Sequence, residues 1–280
     1  MKYWLSLVLS LCAFGSVAKP SAQRIIALAP HIVENLYVIG AGERIVGTVE
    51  YADFPEAANA IPRIGGYHGI SMEKLLALKP DLVIAWQTGN KQTDLDKIAA
   101  LGIPVVYSHT HEIADVAKEL REFGQLTGLE VEAEKQAQQF ETRFKTLQDK
   151  YQSEMRLAVF YQLWPEPMMT IGRNTWVHQL LEICQVDNVF ADASSDYPQI
   201  GIENVIHAKP QVIILPDEKT KQKVPLINWQ AWPEIPAAKH QQYIHVNADL
   251  LHRYTTRVLD GIDDMCAKLA LSKQHYQQGK

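Results

Sequence analysis

The chain has 280 residues, 47% of them apolar, with 27 basic residues against 32 acidic ones and a formal charge of −5. The mild acidity argues against nucleic acid as a partner, and no low-complexity tract appears. The length suits two lobes of ordinary domain size.

Met1 to Ala18 has the three parts of an export signal. Lys2 supplies the positive start, Leu5 to Phe14 the apolar run, and Ser16-Val17-Ala18 a small-residue cleavage site. The run is shorter than the roughly 20 residues a membrane span needs, so residues 1–18 are expected to be removed. Cys12 raises the alternative of a lipid-anchored precursor. Leu11 stands before it, where such a signal needs a small residue, and speaks against that.

Residues 19–128 read as a first α/β lobe. Strands are expected at Arg24–Leu28, Ile45–Val49, the segment after Pro80, and Val105–Tyr107, with helices at 31–39, 91–101 and 112–126. This βαβα order implies a parallel sheet with helices outside it. Ile64-Gly65-Gly66-Tyr67-His68-Gly69 reads as a glycine-rich loop. Residues 129–154 contain no Gly or Pro, and Phe140, Phe144, Leu147 and Tyr151 recur there at helical spacing. One stiff linking helix is expected. Residues 155–280 form the second lobe, with strands at 157–161 and 243–246 and a terminal helix over 255–271.

One stretch occurs in both lobes. Residues 70–84 (ISMEKLLALKPDLVI) and 200–214 (IGIENVIHAKPQVII) coincide at Ile70/Ile200, Glu73/Glu203, Lys79/Lys209, Pro80/Pro210 and Ile84/Ile214. Each copy describes a short helix, a Lys-Pro turn and a buried strand, because Pro lacks the N–H a continuing helix needs. The fold class is therefore α/β: two similar Rossmann-like lobes with central parallel sheets, joined by one long helix, with a ligand cleft between them.

Beyond the signal lie two cysteines, Cys184 and Cys266. In an exported protein an even pair reads first as a disulfide, with two buried free thiols as the alternative. A bridge would close a loop of roughly 80 residues, worth about 4.5 kcal/mol in the chain-entropy model.

No nucleophile elbow, zinc-peptidase pair, P-loop or dinucleotide-binding turn is present, so no catalytic residues are assigned and the chain is read as a non-enzyme. Of ten histidines only His109 and His111 are close, with no further ligands to complete a metal site. A periplasmic hydrolase or metalloenzyme is the alternative class. The stronger signal is aromatic. Tyr51, Tyr67, Trp86, Trp164 and Tyr197 fall in loops bordering the expected strands. In open α/β sheets ligands bind beyond the carboxyl ends of the strands, and aromatic rings there suit a large flat molecule rimmed with amides. The blander reading makes each ring a cap on its own lobe's core. Glu73 and Glu203 start the two repeat helices. A helix start favours a carboxylate, but a symmetric pair could also dock onto two arginines of a two-fold partner.

The run ISMEKLLALKPDLVIAW (70–86), the second copy around Glu203, LEICQVDNVF near Cys184, the linking helix and the export signal resemble the periplasmic binding proteins of ABC importers with a single linking helix. That family carries siderophores, haem and cobalamin, and the likeness is greatest to its cobalamin-binding branch. The resemblance implies cobalamin or a related corrinoid as ligand, no cofactor beyond the cobalt the ligand brings, an inner-membrane ABC permease dimer as partner, a monomer, and the periplasm. It implies ligand contacts from Tyr51, Trp86 and Asp249. Tyr67 and Tyr197 stand where the branch uses tryptophans and Met169 where it uses a phenylalanine, which leaves cobinamide and other corrinoids open. Glu73 and Glu203 match the family's docking glutamates. Haem or a ferric siderophore is the alternative ligand.

Overall fold

The computed structural model describes residues 21–217 and 227–279. The expected export signal lies outside the described residues. The first lobe runs β1 (Ile25–Ala27), α1 (Pro30–Val38), β2 (Ile45–Val49), β3 (Arg63–Gly66), β4 (Gly69–Ile70), α2 (Met72–Ala77), β5 (Leu82–Trp86), α3 (Gln92–Ala100), β6 (Val105–Ser108) and α4 (Asp115–Thr127). Its sheet has the order β4-β3-β2-β1-β5-β6 and is parallel except for the β3–β4 hairpin at one edge.

The unbroken apolar runs of β1 and β5 follow from burial on both faces. Ile25, Ala27, Leu82 and Ile84 pack with Ile32, Leu36, Val116 and Leu120 of α1 and α4. Their neighbours Ile26, Val83 and Ala85 point the other way, onto Leu75 of α2 and Leu95 and Ile98 of α3. A strand alternates its side chains between faces, so each face needs its own apolar set.

After the first lobe, α5 (Glu130–Lys150) forms the expected linking helix. Gly128 closes α4 in the left-handed region (φ 67°), where a side chain would be strained. The chain can then turn sharply and lay α5 along α4, so closely that a Cβ at Gly124 would collide with Ala133. Phe140 and Leu147 are buried and Phe144 stacks on Phe140 at 6.3 Å, which accounts for the helical spacing of these residues. Charged pairs from Arg143 to Asp260 (2.5 Å) and Lys150 to Asp263 (2.7 Å) fasten α5 to the terminal helix.

The second lobe continues with β7 (Ala158–Tyr161), β8 (Trp164–Pro165), β9 (Met168–Met169), α6 (Trp176–Ile183), β10 (Asp187–Asn188), α7 (Ile202–Ala208), β11 (Val212–Asp217), α8 (Pro236–Lys239), β12 (Tyr243–Asn247), α9 (Ala248–Leu251) and α10 (Val258–Gln278). The main sheet, β10-β7-β11-β12, is wholly parallel; β8 and β9 form a separate hairpin. Cys184, at the end of α6, is bonded to Cys266 of α10, with Cα atoms 4.8 Å apart.

The repeat is a repeat of structure. Its helices begin at Met72 and Ile202 and its strands at Leu82 and Val212. In each sheet the repeat strand lies parallel beside the lobe's first strand, Leu82 against Ile25 and Val212 against Val159. β2 and β10 lie on the other flanks of β1 and β7, so the order of the chain reverses there. Such switch points open a crevice at the carboxyl ends of the strands. Lys79 and Lys209 both adopt left-handed backbone (φ 46° and 49°) before their prolines. Each closes its helix by donating its N–H backwards, Lys79 to Leu76 O and Lys209 to Val205 O. That closure offsets a steric cost of about 1–2 kcal/mol for a non-glycine residue.

Two expectations change. The glycine-rich stretch 64–69 is a hairpin, because Gly65 and Gly69 approach too closely to leave room for a Cβ. The terminal helix starts three residues later and ends seven residues later than expected. Residues 252–257 are held by contacts to the first lobe, and the far end by Tyr276, whose hydroxyl donates to Gln211 O at 2.9 Å. Among the described residues no helix is long and apolar enough to cross a membrane.

Candidate functional site

The carboxyl ends of β1 and β5 carry the first wall of the cleft. Trp86 is the last residue of β5. Its N–H donates to Asn90 Oδ1 at 2.7 Å, while Asn90 Nδ2 donates to Leu28 O at 2.9 Å, so one amide folds the loop back and ties it to β1. The indole lies over Gly89, where any Cβ would overlap it. His31, in the first turn of α1, meets Trp86 edge-on at 5.5 Å. Burial first, and the Arg253 charge second, push the His31 imidazole down to about 3. The ring is therefore neutral and acts as an apolar wall with one hydrogen bond, Nε2 to Ser108 Oγ at 3.0 Å.

The second wall comes from the segment joining α9 to α10. Tyr254 meets Trp86 at 5.8 Å, His31 at 5.3 Å and Trp176 at 4.6 Å, each ring edge-on to it. Trp176 is fixed by its Nε1–H, which donates to Leu251 O at 2.8 Å. Burial, with Tyr197 adding to it, pushes the Tyr254 phenol up to about 12. His252 is pushed down to about 4 by burial, against the pull of Asp249, and its Nε2 lies 2.9 Å from the Tyr161 hydroxyl. The floor is thus a set of uncharged rings drawn from both lobes, with Trp86 and Tyr254 half-buried at its surface and His31 and Trp176 buried behind them.

A charged cluster gathers around Arg253. Glu34 of α1, 2% exposed, receives Arg253 at 2.7 Å and Arg257 at 2.8 Å from the other lobe. Arg253 also reaches Asp53 at 2.9 Å and Asp249 at 3.1 Å. Burial opposes the Arg253 charge, but its hydrogen bonds to Glu34 and Asp53 outweigh that and hold the guanidinium above its ordinary value. Beneath the floor lies Glu119, 3% exposed. It accepts from Ser108, from Thr110 (3.1 Å) and from Asn35 (2.9 Å), and Asn35 also donates to Tyr254 O across the lobes at 2.9 Å. Burial dominates these bonds and pushes the Glu119 carboxyl up to about 7.

Of the residues singled out from sequence, Trp86, Asp249 and Tyr197 are drawn together around Tyr254 and Arg253. Tyr51 stands on the exposed loop after β2, which Asp53 ties to Arg253. Met169 ends β9 and bridges to Gln199, two residues beyond Tyr197. Tyr67, at the β3–β4 turn, projects with 85% exposure and its ring against His68. Glu73 and Glu203 lie exposed in the first turns of α2 and α7. His109 bonds Gln87 beside Trp86 (Nδ1 to Oε1, 2.6 Å), and the His111 carbonyl accepts from Gln179 of the other lobe at 2.9 Å. Trp229 is structural, buried with its Nε1–H on Gln162 Oε1 at 2.9 Å. Among the described residues no three His, Cys, Asp or Glu side chains converge as metal ligands. Glu34, Glu119, Tyr254 and Arg257 were not legible as site residues. One trace exists: Glu34 and Asn35 interrupt the otherwise apolar Ile32–Leu36, which marks a buried polar pair needing partners.

A hollow of about 370 Å³ lies elsewhere, on the flank between α5, α6 and residues 112–114, rimmed by Gln148, Gln152, Gln179 and Gln185. It lacks the aromatic floor. The ring cluster at the strand ends is the better candidate for a flat ligand.

A vitamin B12-binding protein of Vibrio campbellii is 33% identical over 260 residues, covering 93% of this chain and 94% of that one. The crystal structure of the periplasmic vitamin B12 binding protein BtuF of Vibrio cholerae superposes with a TM-score of 0.82 at 34% identity, over 90% of this chain and 98% of that one. The periplasmic heme-binding protein RhuT from Roseiflexus shares the fold at 23% identity, with a TM-score of 0.78 over 90% of this chain and 99% of its own. The periplasmic binding protein family model matches residues 25–250. Two doubly wound sheets, one linking helix and a ring-floored cleft between the strand ends agree with that match: the chain belongs to the periplasmic binding protein family, whose members bind solutes and are not enzymes.

Proposed function

We propose that the protein captures cobalamin or a closely related corrinoid in the cleft and delivers it, in the periplasm, to an inner-membrane ABC permease dimer. The observation that carries this reading is the cluster of neutral rings shared by both lobes, in which half-buried Trp86 and Tyr254 are backed by buried His31 and Trp176, in a chain similar to proteins named for vitamin B12 binding. A corrin is large, flat and edged with amides. Rings with apolar faces match its surface, and Asp249 and Tyr51 supply polar groups at the edge. Tyr51, Tyr67, Trp86, Met169, Tyr197 and Asp249 form the ligand set. Cobalt is part of the ligand, and the protein adds no cofactor of its own.

The charge pattern supports a near-neutral ligand. Arg253 and Arg257 are committed to Glu34, so an anionic ferric chelate would have to break buried ion pairs to gain cationic partners. Haem is the second reading, favoured by the exposed phenol of Tyr51, a group able to serve as an axial ligand.

Glu73 and Glu203 sit one per lobe at equivalent positions of the repeat, which suits one contact on each half of a two-fold permease. The protein acts as a monomer in this scheme. The test of the ligand is direct. Purified protein is incubated with cyanocobalamin, haem or a ferric siderophore, gel-filtered, and its visible spectrum recorded. The expected result is one corrin chromophore per chain and neither other chromophore; a retained haem or siderophore spectrum with no corrin bands would overturn it.

A further inference from the structure

The loop after β2 presents Tyr51 from a left-handed backbone, φ 63°, with its side chain 73% exposed. A tyrosine in that region is strained, and the surrounding structure has to hold it there. Part of the hold is local, since Arg63 donates to Ala52 O at 2.7 Å and to Ile61 O at 2.6 Å. The rest comes from the other lobe. Arg257 lays its guanidinium over the Phe54 ring, 3.5 Å from the centroid. The same guanidinium donates in its own plane to Glu34, Nε to Oε2 at 2.8 Å and one terminal nitrogen to Oε1 at 3.0 Å. Glu34 is buried and fixed on α1, so Arg257 is locked on one edge and offers its face to the loop.

We propose that Arg257 is a positioning residue: by spanning Glu34 and Phe54 it fixes the loop that presents Tyr51, and so sets the affinity of the cleft without touching the ligand. The inference rests on Tyr51 contacting the corrinoid as proposed above. Arginine is needed because only a planar guanidinium can bond in its plane and stack on its face at once. A lysine would keep the charge that buried Glu34 requires but lose the flat contact with Phe54. Arg253 makes a parallel link to Asp53, yet it also holds Asp249 of the ligand set, so Arg257 separates positioning from contact.

The test is a double-mutant cycle read by calorimetric titration with cyanocobalamin. Arg257→Lys leaves Glu34 a cation and so preserves folding. It is expected to weaken binding about 3- to 10-fold in the wild-type background and less than about 2-fold in Tyr51→Ala, because no ring is left to position. Phe54→Leu, which acts from the loop side, should give the same pattern. Equal losses in both backgrounds, or no loss in either, would overturn the proposal. Should the wild-type protein take up no cyanocobalamin, the functional reading fails and the strap is judged alone, by amide hydrogen exchange in the ligand-free protein. Faster exchange at residues 51–54 in Arg257→Lys, with α1 unchanged, supports it; unchanged exchange at 51–54 rejects it.

Discussion

Trp86 and Tyr254 meet edge-on with ring centroids 5.8 Å apart, one ring from the end of β5 in the first lobe and the other from the segment before α10 in the second. The contact makes the cleft floor a joint property of the two lobes. Trp86 is only partly buried, and on the proposed reading its exposed part meets the ligand. Trp86→Ala is expected to weaken cobalamin binding by about 1–3 kcal/mol, as for other aromatic anchors. Ile84→Ala, two residues back at 0% exposure, should instead lower folding stability by about 2–5 kcal/mol. Calorimetry showing full affinity in Trp86→Ala would make that ring part of the core alone.

On the proposed docking role, substitutions at Glu73 and Glu203 separate delivery from capture. Glu73→Ala, Glu203→Ala and the double variant are expected to bind cobalamin with wild-type affinity. Uptake should nevertheless fall, most in the double variant, because truncating one side of a buried carboxylate–arginine pair costs about 2–5 kcal/mol. Normal uptake by the double variant would reduce both residues to helix-start carboxylates.

The Cys184–Cys266 bond ties α6 to α10, and the terminal helix in turn holds α5 through Asp260 and Asp263. Its closed loop spans a sequence separation of 82. Replacing both cysteines by alanine is expected to lower stability in urea by up to about 4.5 kcal/mol. A change below about 1 kcal/mol would show that packing between the helices suffices.

Glu119 gives stability a pH dependence of identifiable sign. Burial raises its carboxyl from the ordinary 4.5 to about 7 in the folded protein. Between those values the folded chain keeps a proton that the unfolded chain has lost, so this group's contribution falls as pH rises. His31 and His252, held down at about 3 and 4, act oppositely as pH falls below their ordinary 6.5. Both histidines are unchanged in Glu119→Gln, so subtracting the two proteins isolates the carboxyl. The variant should gain about 3 kcal/mol on the wild type between pH 4.5 and pH 8, measured by urea denaturation. Parallel pH profiles would mean that Glu119 stays ionised in its buried network.

The α/β class, the two lobes, the linking helix and the repeat could be read from sequence because each is written in short-range patterns. Apolar runs mark strands buried on both faces, the Gly- and Pro-free stretch 130–152 marks α5, and the Lys-Pro turns mark the repeat. Of the loop aromatics, Trp86 lies in the ring cluster between the lobes while Tyr67 projects into solvent, and the cysteine pairing could be read from the expected export. The sequence alone left the glycine-rich stretch 64–69 as a loop, because hairpin pairing there depends on a close approach of Gly65 and Gly69. Only the tertiary structure decided what lies between the lobes. Glu34 and Arg257 are 223 positions apart, and Asn35 and Tyr254 are 219 apart. A buried charge or amide announces that it needs a partner but not which one. That choice is made only when the packing of the two lobes brings distant segments within hydrogen-bond reach, and the loop that carries Tyr51 takes its position from it.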